Sequence, residues 1–173
     1  MSVKVTIKDT GADALFLVLK DLRGLSITVG FQTEKGGKIH PLATVNVATI
    51  ALYNEFGTIT GSPARPFMRT TLIEGKDKIA AEAALQFKRA IVGEITPVEA
   101  SSRLGAFIVK LMRERIDKAG AWAVPNALST VKKKGHAMPL LGGDPRKKVA
   151  RGTMRDSLTW AVRRGGSILA EGK

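Results

Sequence analysis

The chain has 173 residues, 44% hydrophobic and 25% charged, the balance of one ordinary globular domain with a core of its own. It contains no cysteine, which excludes disulfides and thiolate-held metal and fits synthesis in a reducing cytosol; no apolar run nears the roughly 20 residues of a membrane-spanning helix. Its charge is strongly basic, with 28 Lys and Arg against 15 Asp and Glu, a net of +13 that calls for a polyanionic neighbour or serves only to keep the chain soluble.

In chain order, Val3, Val5 and Ile7 alternate with Lys4, Thr6 and Lys8, which predicts a half-buried strand over 2–8 and not the apolar core of a signal peptide. Leu15, Val18, Leu19 and Leu22 then recur at helical spacing, with Thr10 and Asp13 as a box-like cap and Gly24 as the stop. Leu25, Ile27, Val29 and Phe31 alternate with polar or small residues, predicting a strand over 25–33 that turns at Gly36-Gly37. Residues 46–56 predict a short helix capped by Asn46, with Val47, Ile50 and Ala51 inward and Gly57 at its end.

Pro63 and Pro66 make 58–66 a loop. A long helix over 67–92 is expected next, with Leu72, Ile79, Ala83, Phe87 and Ile91 on one side. Thr96, Pro97 and Glu99 form a capping-box signature for a further helix, whose apolar face is Leu104, Ile108, Leu111 and Met112 and whose stop is Gly120. From 121 to 151 the periodicity dissolves into an expected long basic loop, punctuated by Pro125, Pro139 and Pro145. Leu158, Trp160 and Val162 then alternate as a closing strand within 156–163, and 167–170 offers one more.

The expected architecture is therefore α+β. A small, mainly antiparallel sheet (2–8, 25–33, 156–163) packs on two or three long helices in a single domain, with its core in about 1–120 and 152–170 and an extended basic arm at about 121–151. Basic charge concentrates in that direction: residues 120–173 hold 11 basic and 3 acidic groups, against 17 and 12 before them.

A search for chemistry is nearly empty. His40 and His136 stand apart without carboxylates at ligand spacing, and no phosphate-loop, dinucleotide-binding or zinc-helix motif occurs. Gly142-Gly143-Asp144 resembles a phosphate cradle but runs into Pro145 and not into a helix start. No catalytic residue, cofactor or metal site is expected. The basic arm, Lys132, Lys133, Lys134, Arg146, Lys147, Lys148 and Arg151, is the nearest approach to a nucleic-acid signal. It holds no aromatic platform, so any contact with DNA would be blind to sequence, and an acidic protein partner would serve it as well.

Two blocks are more distinctive. Residues 47–69 read VATIALYNEFGTITGSPARPFMR, a short helix ending in Asn54-Glu55-Phe56-Gly57-Thr58 and a loop leading through Pro63-Ala64-Arg65-Pro66-Phe67-Met68-Arg69 into the next helix. Downstream come Leu128-Ser129-Thr130, Lys134-Gly135, Met138-Pro139-Leu140-Leu141 and Thr153-Met154-Arg155-Asp156-Ser157-Leu158. In order and spacing these resemble the tail-completion and neck (head-tail joining) proteins of long-tailed bacteriophages, in which an "EFGT" turn precedes a "PxRPFxR" helix start and a "PL…TG…S" segment leads to the last strand. The chain departs from that pattern at 142–152, GGDPRKKVARG, where Gly152-Thr153 also stand in inverted order.

The resemblance implies a non-enzymatic structural virion protein that completes the tail or joins it to the head-side connector, with tail terminator and stopper as neighbouring roles. It further implies a homo-oligomeric ring, hexameric in the virion, which contacts adjacent neck, connector or tail-tube proteins and has room for a sequence-independent contact with packaged DNA, with no membrane partner. Asn54, Glu55, Phe56, Gly57, Pro63, Arg65, Pro66, Phe67 and Arg69 are the expected interface residues. On physical grounds Phe56 and Phe67 should anchor the two ends of the loop in the core. Arg65 and Arg69 should project from it, and Glu55 and Arg65 should meet a subunit or a partner within the chain. The competing reading is a basic DNA-binding or DNA-processing protein that uses the C-terminal Lys/Arg segment.

Overall fold

A computed structural model describes residues 10–32, 36–40, 44–142 and 152–173. The strand expected at 2–8 and four cations of the arm, Arg146, Lys147, Lys148 and Arg151, lie outside the described residues. Within them the chain forms α1 (Thr10–Arg23), β1 (Ser26–Gly30), α2 (Val47–Phe56), α3 (Phe67–Glu74), α4 (Lys76–Ile91), α5 (Pro97–Asp117), α6 (Ala119–Trp122), α7 (Leu128–Lys134), α8 (Thr153–Asp156), β2 (Thr159–Arg164) and β3 (Ser167–Gly172). The fold is α+β, with an antiparallel sheet in the order β1-β2-β3 packed on helices.

The alternation expected for β1 and β2 sets their register: Ile27 pairs with Val162 and Val29 with Trp160, so their apolar side chains share one face. α5 crosses that face along all three strands. Leu104, Val109, Met112 and Ile116 on α5 are buried, and the last three join Leu158, Trp160 and Val162 of the strand region in one core cluster. α5 starts as expected: Thr96 Oγ1 accepts the backbone N–H of Glu99 at 3.1 Å, with Pro97 in the first turn. The Glu99 carboxylate, however, turns to Arg103 at 2.7 Å. Asn46 likewise caps α2 through Thr49 N–H at 2.8 Å.

Gly105 lies where helix and sheet come closest. A Cβ there would stand 3.0 Å from Trp160 Cβ and 3.3 Å from Ile27 Cγ2, so the helix tolerates its glycine in exchange for that approach. Gly105→Ala is expected to lower stability by about 1–2 kcal/mol, although alanine is the better helix former, because the atom met is at the root of a strand side chain. Gly105→Val should cost more. Urea denaturation of the two variants measures both steps, and a stabilised alanine variant would contradict this packing.

Three expectations require correction. The helix expected over 67–92 is divided at Gly75, where ψ is 1° and the helical path bends between α3 and α4. Its expected apolar side holds only in part: Ile79, Ala83 and Phe87 are half-buried, but Leu72 and Ile91 are exposed, while Thr71, Gln86 and Ala90 are buried. Thr71 can be inside because its hydroxyl returns to Phe67 O at 2.6 Å, and Gln86 donates to Glu82 at 2.8 Å. On α1, Leu15 and Leu19 are exposed together with Phe16 and Leu17, so the predicted stripe does not bury as a stripe.

The third correction concerns 121–151, whose first two-thirds are not an extended arm. Residues 128–134 form α7, closed by Gly135 in the left-handed conformation, and Leu140 is buried in the core. A single helical turn, α8, precedes β2, and the segment suggested near 167–170 is the full edge strand β3.

Candidate functional site

The first distinctive block folds into a braced corner. α2 ends at Gly57, whose N–H donates to Tyr53 O at 2.9 Å and whose φ is +78°; a Cβ there would meet Ser62 O at 2.9 Å, so only glycine fits the turn. Thr58 N–H returns to Ser62 O at 3.0 Å, and Ser62 N–H to Thr58 Oγ1 at 3.1 Å, which closes the loop on itself. Pro66 then occupies the cap position of α3 and makes no side-chain bond there.

Glu55 supplies the missing cap from the preceding helix. The residue is 5% exposed; Oε2 accepts Met68 N–H at 2.9 Å and Oε1 accepts Arg69 N–H at 3.0 Å. A carboxylate on the first free amides of a helix also meets the positive end of its dipole. Arg69 remains about half exposed, with its Nε 3.8 Å from Glu55 Oε1 and its guanidinium 5.4 Å above the Phe56 ring. Phe67 is fully buried, edge-on to Phe31 at 6.4 Å.

Two of the expected roles are thereby overturned. Phe56 is 64% exposed and anchors nothing in the core, because the last turn of α2 points it outward under Arg69. Arg65 does not project: it is 8% exposed and reaches across to the segment before α7. Its Nε donates to Val124 O at 2.7 Å, and its Nη2 donates to Pro125 O at 3.2 Å and Asn126 Oδ1 at 3.3 Å. Glu55 and Arg65 thus both have partners within the chain, each a different one. Asn54 donates from Nδ2 to Ile50 O at 2.8 Å and approaches Met154 Sδ at 3.9 Å.

The second block closes on the first. Asn126, held by Arg65, donates to Ala137 O and Met138 O, both at 3.2 Å. Lys134 is half buried, and its ammonium donates to Pro139 O and Leu141 O at 3.1 Å each. Lys132 and Lys133 are exposed. Arg155 of α8 grips Asp117 at the end of α5 at 2.7 and 2.9 Å, and Arg113 donates to Leu158 O at 2.8 Å.

Between the blocks is a cleft of about 420 Å³ whose lining includes His40, Pro63, Arg65, Asn126, Lys134 and Met154. Burial pulls the Lys134 ammonium below the usual lysine range, and nearby Arg65 pushes the same way. Burial likewise lowers Arg65 and His40, with Lys134 adding to the effect on His40. The sequence marked Arg65 and Lys134 for other reasons and missed their meeting; Gly135, directly after a run ending in three lysines, was the available sign that this stretch is a helix. Among the described residues, no group of three or more His, Asp or Glu could hold a metal ion.

No family model matches the chain, and neither curated proteins nor solved structures match it.

Proposed function

We propose that this chain is a structural virion protein of a tailed bacteriophage, acting at the neck or head-proximal tail end by assembly into a closed ring. The observation that carries the reading is that the two blocks resembling the tail-completion and neck proteins form one folded unit, tied by Asn54 to Met154 and by Arg65 through Asn126 to Met138. Around that unit the surface is suited to neighbours: Leu52, Tyr53 and Phe56 stand exposed on successive turns of α2. A ring built from one heterologous contact needs such a patch on every copy. Lys132 stands exposed on α7 and suits an acidic neighbour or the phosphates of DNA in the lumen.

Mass spectrometry and antibody labelling of purified particles from the producing cells test the role. The chain is expected in the particles, with label at the head–tail junction; particles that lack it would overturn the reading. Native mass measurement should give a ring for the wild type. Phe56→Asp should release smaller species with an unchanged melting temperature, since an exposed ring contributes little to the core.

A further inference from the structure

The cleft between the blocks is lined by one buried and one half-buried cation, and among the described residues no acid lines it. Its described lining includes Arg65, Lys134 and His40. Among the described residues neither Arg65 nor Lys134 forms an ion pair: both spend their hydrogen bonds on neutral backbone and amide oxygens. Carbonyls satisfy N–H groups but leave net charge uncompensated, and a buried cation without a counter-charge costs free energy.

Donor capacity is also left over. A guanidinium has five N–H groups, and the three on Nε and Nη2 are matched by Val124 O, Pro125 O and Asn126 Oδ1, leaving Nη1. An ammonium has three, and two of those on Lys134 are matched by Pro139 O and Leu141 O. Both side chains are held in place by those bonds, so the remaining donors are preorganised. The walls are otherwise largely apolar, with Ile50, Pro63, Leu140 and Met154 among them. The volume exceeds what a bare oxyanion needs and falls in the range of small-molecule sites, which pair apolar walls with a few fixed polar groups.

We propose that this cleft binds a small organic oxyanion, a carboxylate or phosphate monoester, with its charged end between Arg65 and Lys134 and its carbon body against Pro63 and Leu140. The site rests on the cleft geometry and is independent of the virion reading. Two fixed cationic donors favour a planar or tetrahedral oxyanion over chloride, because both can hydrogen-bond it at once. Among the described lining residues the one aromatic ring is the His40 imidazole, and no Phe, Tyr or Trp stands there as a broad platform for a nucleobase.

Titration calorimetry and thermal melting of the full chain test this with three probes at matched ionic strength: sodium glutarate, glycerol phosphate and sodium chloride. Glutarate or glycerol phosphate should bind saturably and raise the melting temperature above the chloride baseline, and the stronger of the two identifies the anion class. Lys134→Gln should weaken that binding about tenfold or more, while Lys132→Gln on the exposed side should leave it unchanged. Arg65→Lys is the second variant; it keeps the charge, loses the fork, and should also bind more weakly. Equal melting in all three salts, or binding that Lys134→Gln leaves intact, overturns the proposal.

Discussion

Glu55→Ala is expected to destabilise the protein by about 2–3 kcal/mol, the cost of leaving two part-buried helix amides without acceptors. Met68 and Arg69 would lose the carboxylate that takes both their N–H groups, and Pro66 has no side-chain oxygen to replace it. Glu55 is 5% exposed, so water would have to enter the corner to take over. Glu55→Gln should recover only part of the loss, because one of its two head atoms is a donor facing a donor. Urea unfolding measures the size. Amide exchange localises it, with protection falling first at 68–70; a loss below about 1 kcal/mol for the alanine variant would mean that the cap is not what holds α3 to α2.

The same arithmetic bears on what the motif is for. In the Asn54–Arg69 stretch, the charged residues expected at an interface are largely consumed inside the chain: Glu55 caps α3, and Arg65 ties down 124–126. What faces outward is the apolar side of α2, with Phe56 and Arg69 stacked at its end. A pattern that looks like a recognition sequence thus works first as a brace that fixes where an apolar surface is displayed. Surface substitutions at Leu52 or Tyr53 and core substitutions at Glu55 should therefore separate assembly from folding.

Much of the frame was legible in the sequence because it rests on local signals. Asn46 and Thr96-Pro97 cap the helices they announce, and the alternation at 26–30 and 159–162 fixes the strands. What was illegible depends on partners far along the chain. Nothing near Arg65 predicts that carbonyls some sixty residues on will bury it. Hydrophobicity misled where a polar side chain could satisfy itself locally, as Thr71 does on Phe67 O, and freed the inner position from needing a Leu. The lysine run reads as a charged arm only if it is extended. Wound into α7, its members point in different directions, and Lys134 turns inward.

Phe67→Ala should be the most damaging single change, at about 3–5 kcal/mol, which is the range for truncating a fully buried phenylalanine. Phe67 is 0% exposed, opens α3, and presents its ring edge-on to Phe31 just beyond β1. It belongs to the same cluster as Val47 and Ala51 of α2, Met112 and Ile116 of α5, and Met154 of α8. Its loss would therefore open a void where the corner, the long helix and the second block meet. A loss of this size is a large fraction of the stability of a domain of this length, so the variant should populate unfolded chain at 37 °C and fail to assemble even with the α2 surface intact. Phe67→Leu should retain assembly at a cost of about 1–2 kcal/mol, since it restores most of the volume. If Phe67→Ala unfolded at the wild-type urea midpoint, Phe67 could not be the residue that joins the two blocks to the sheet.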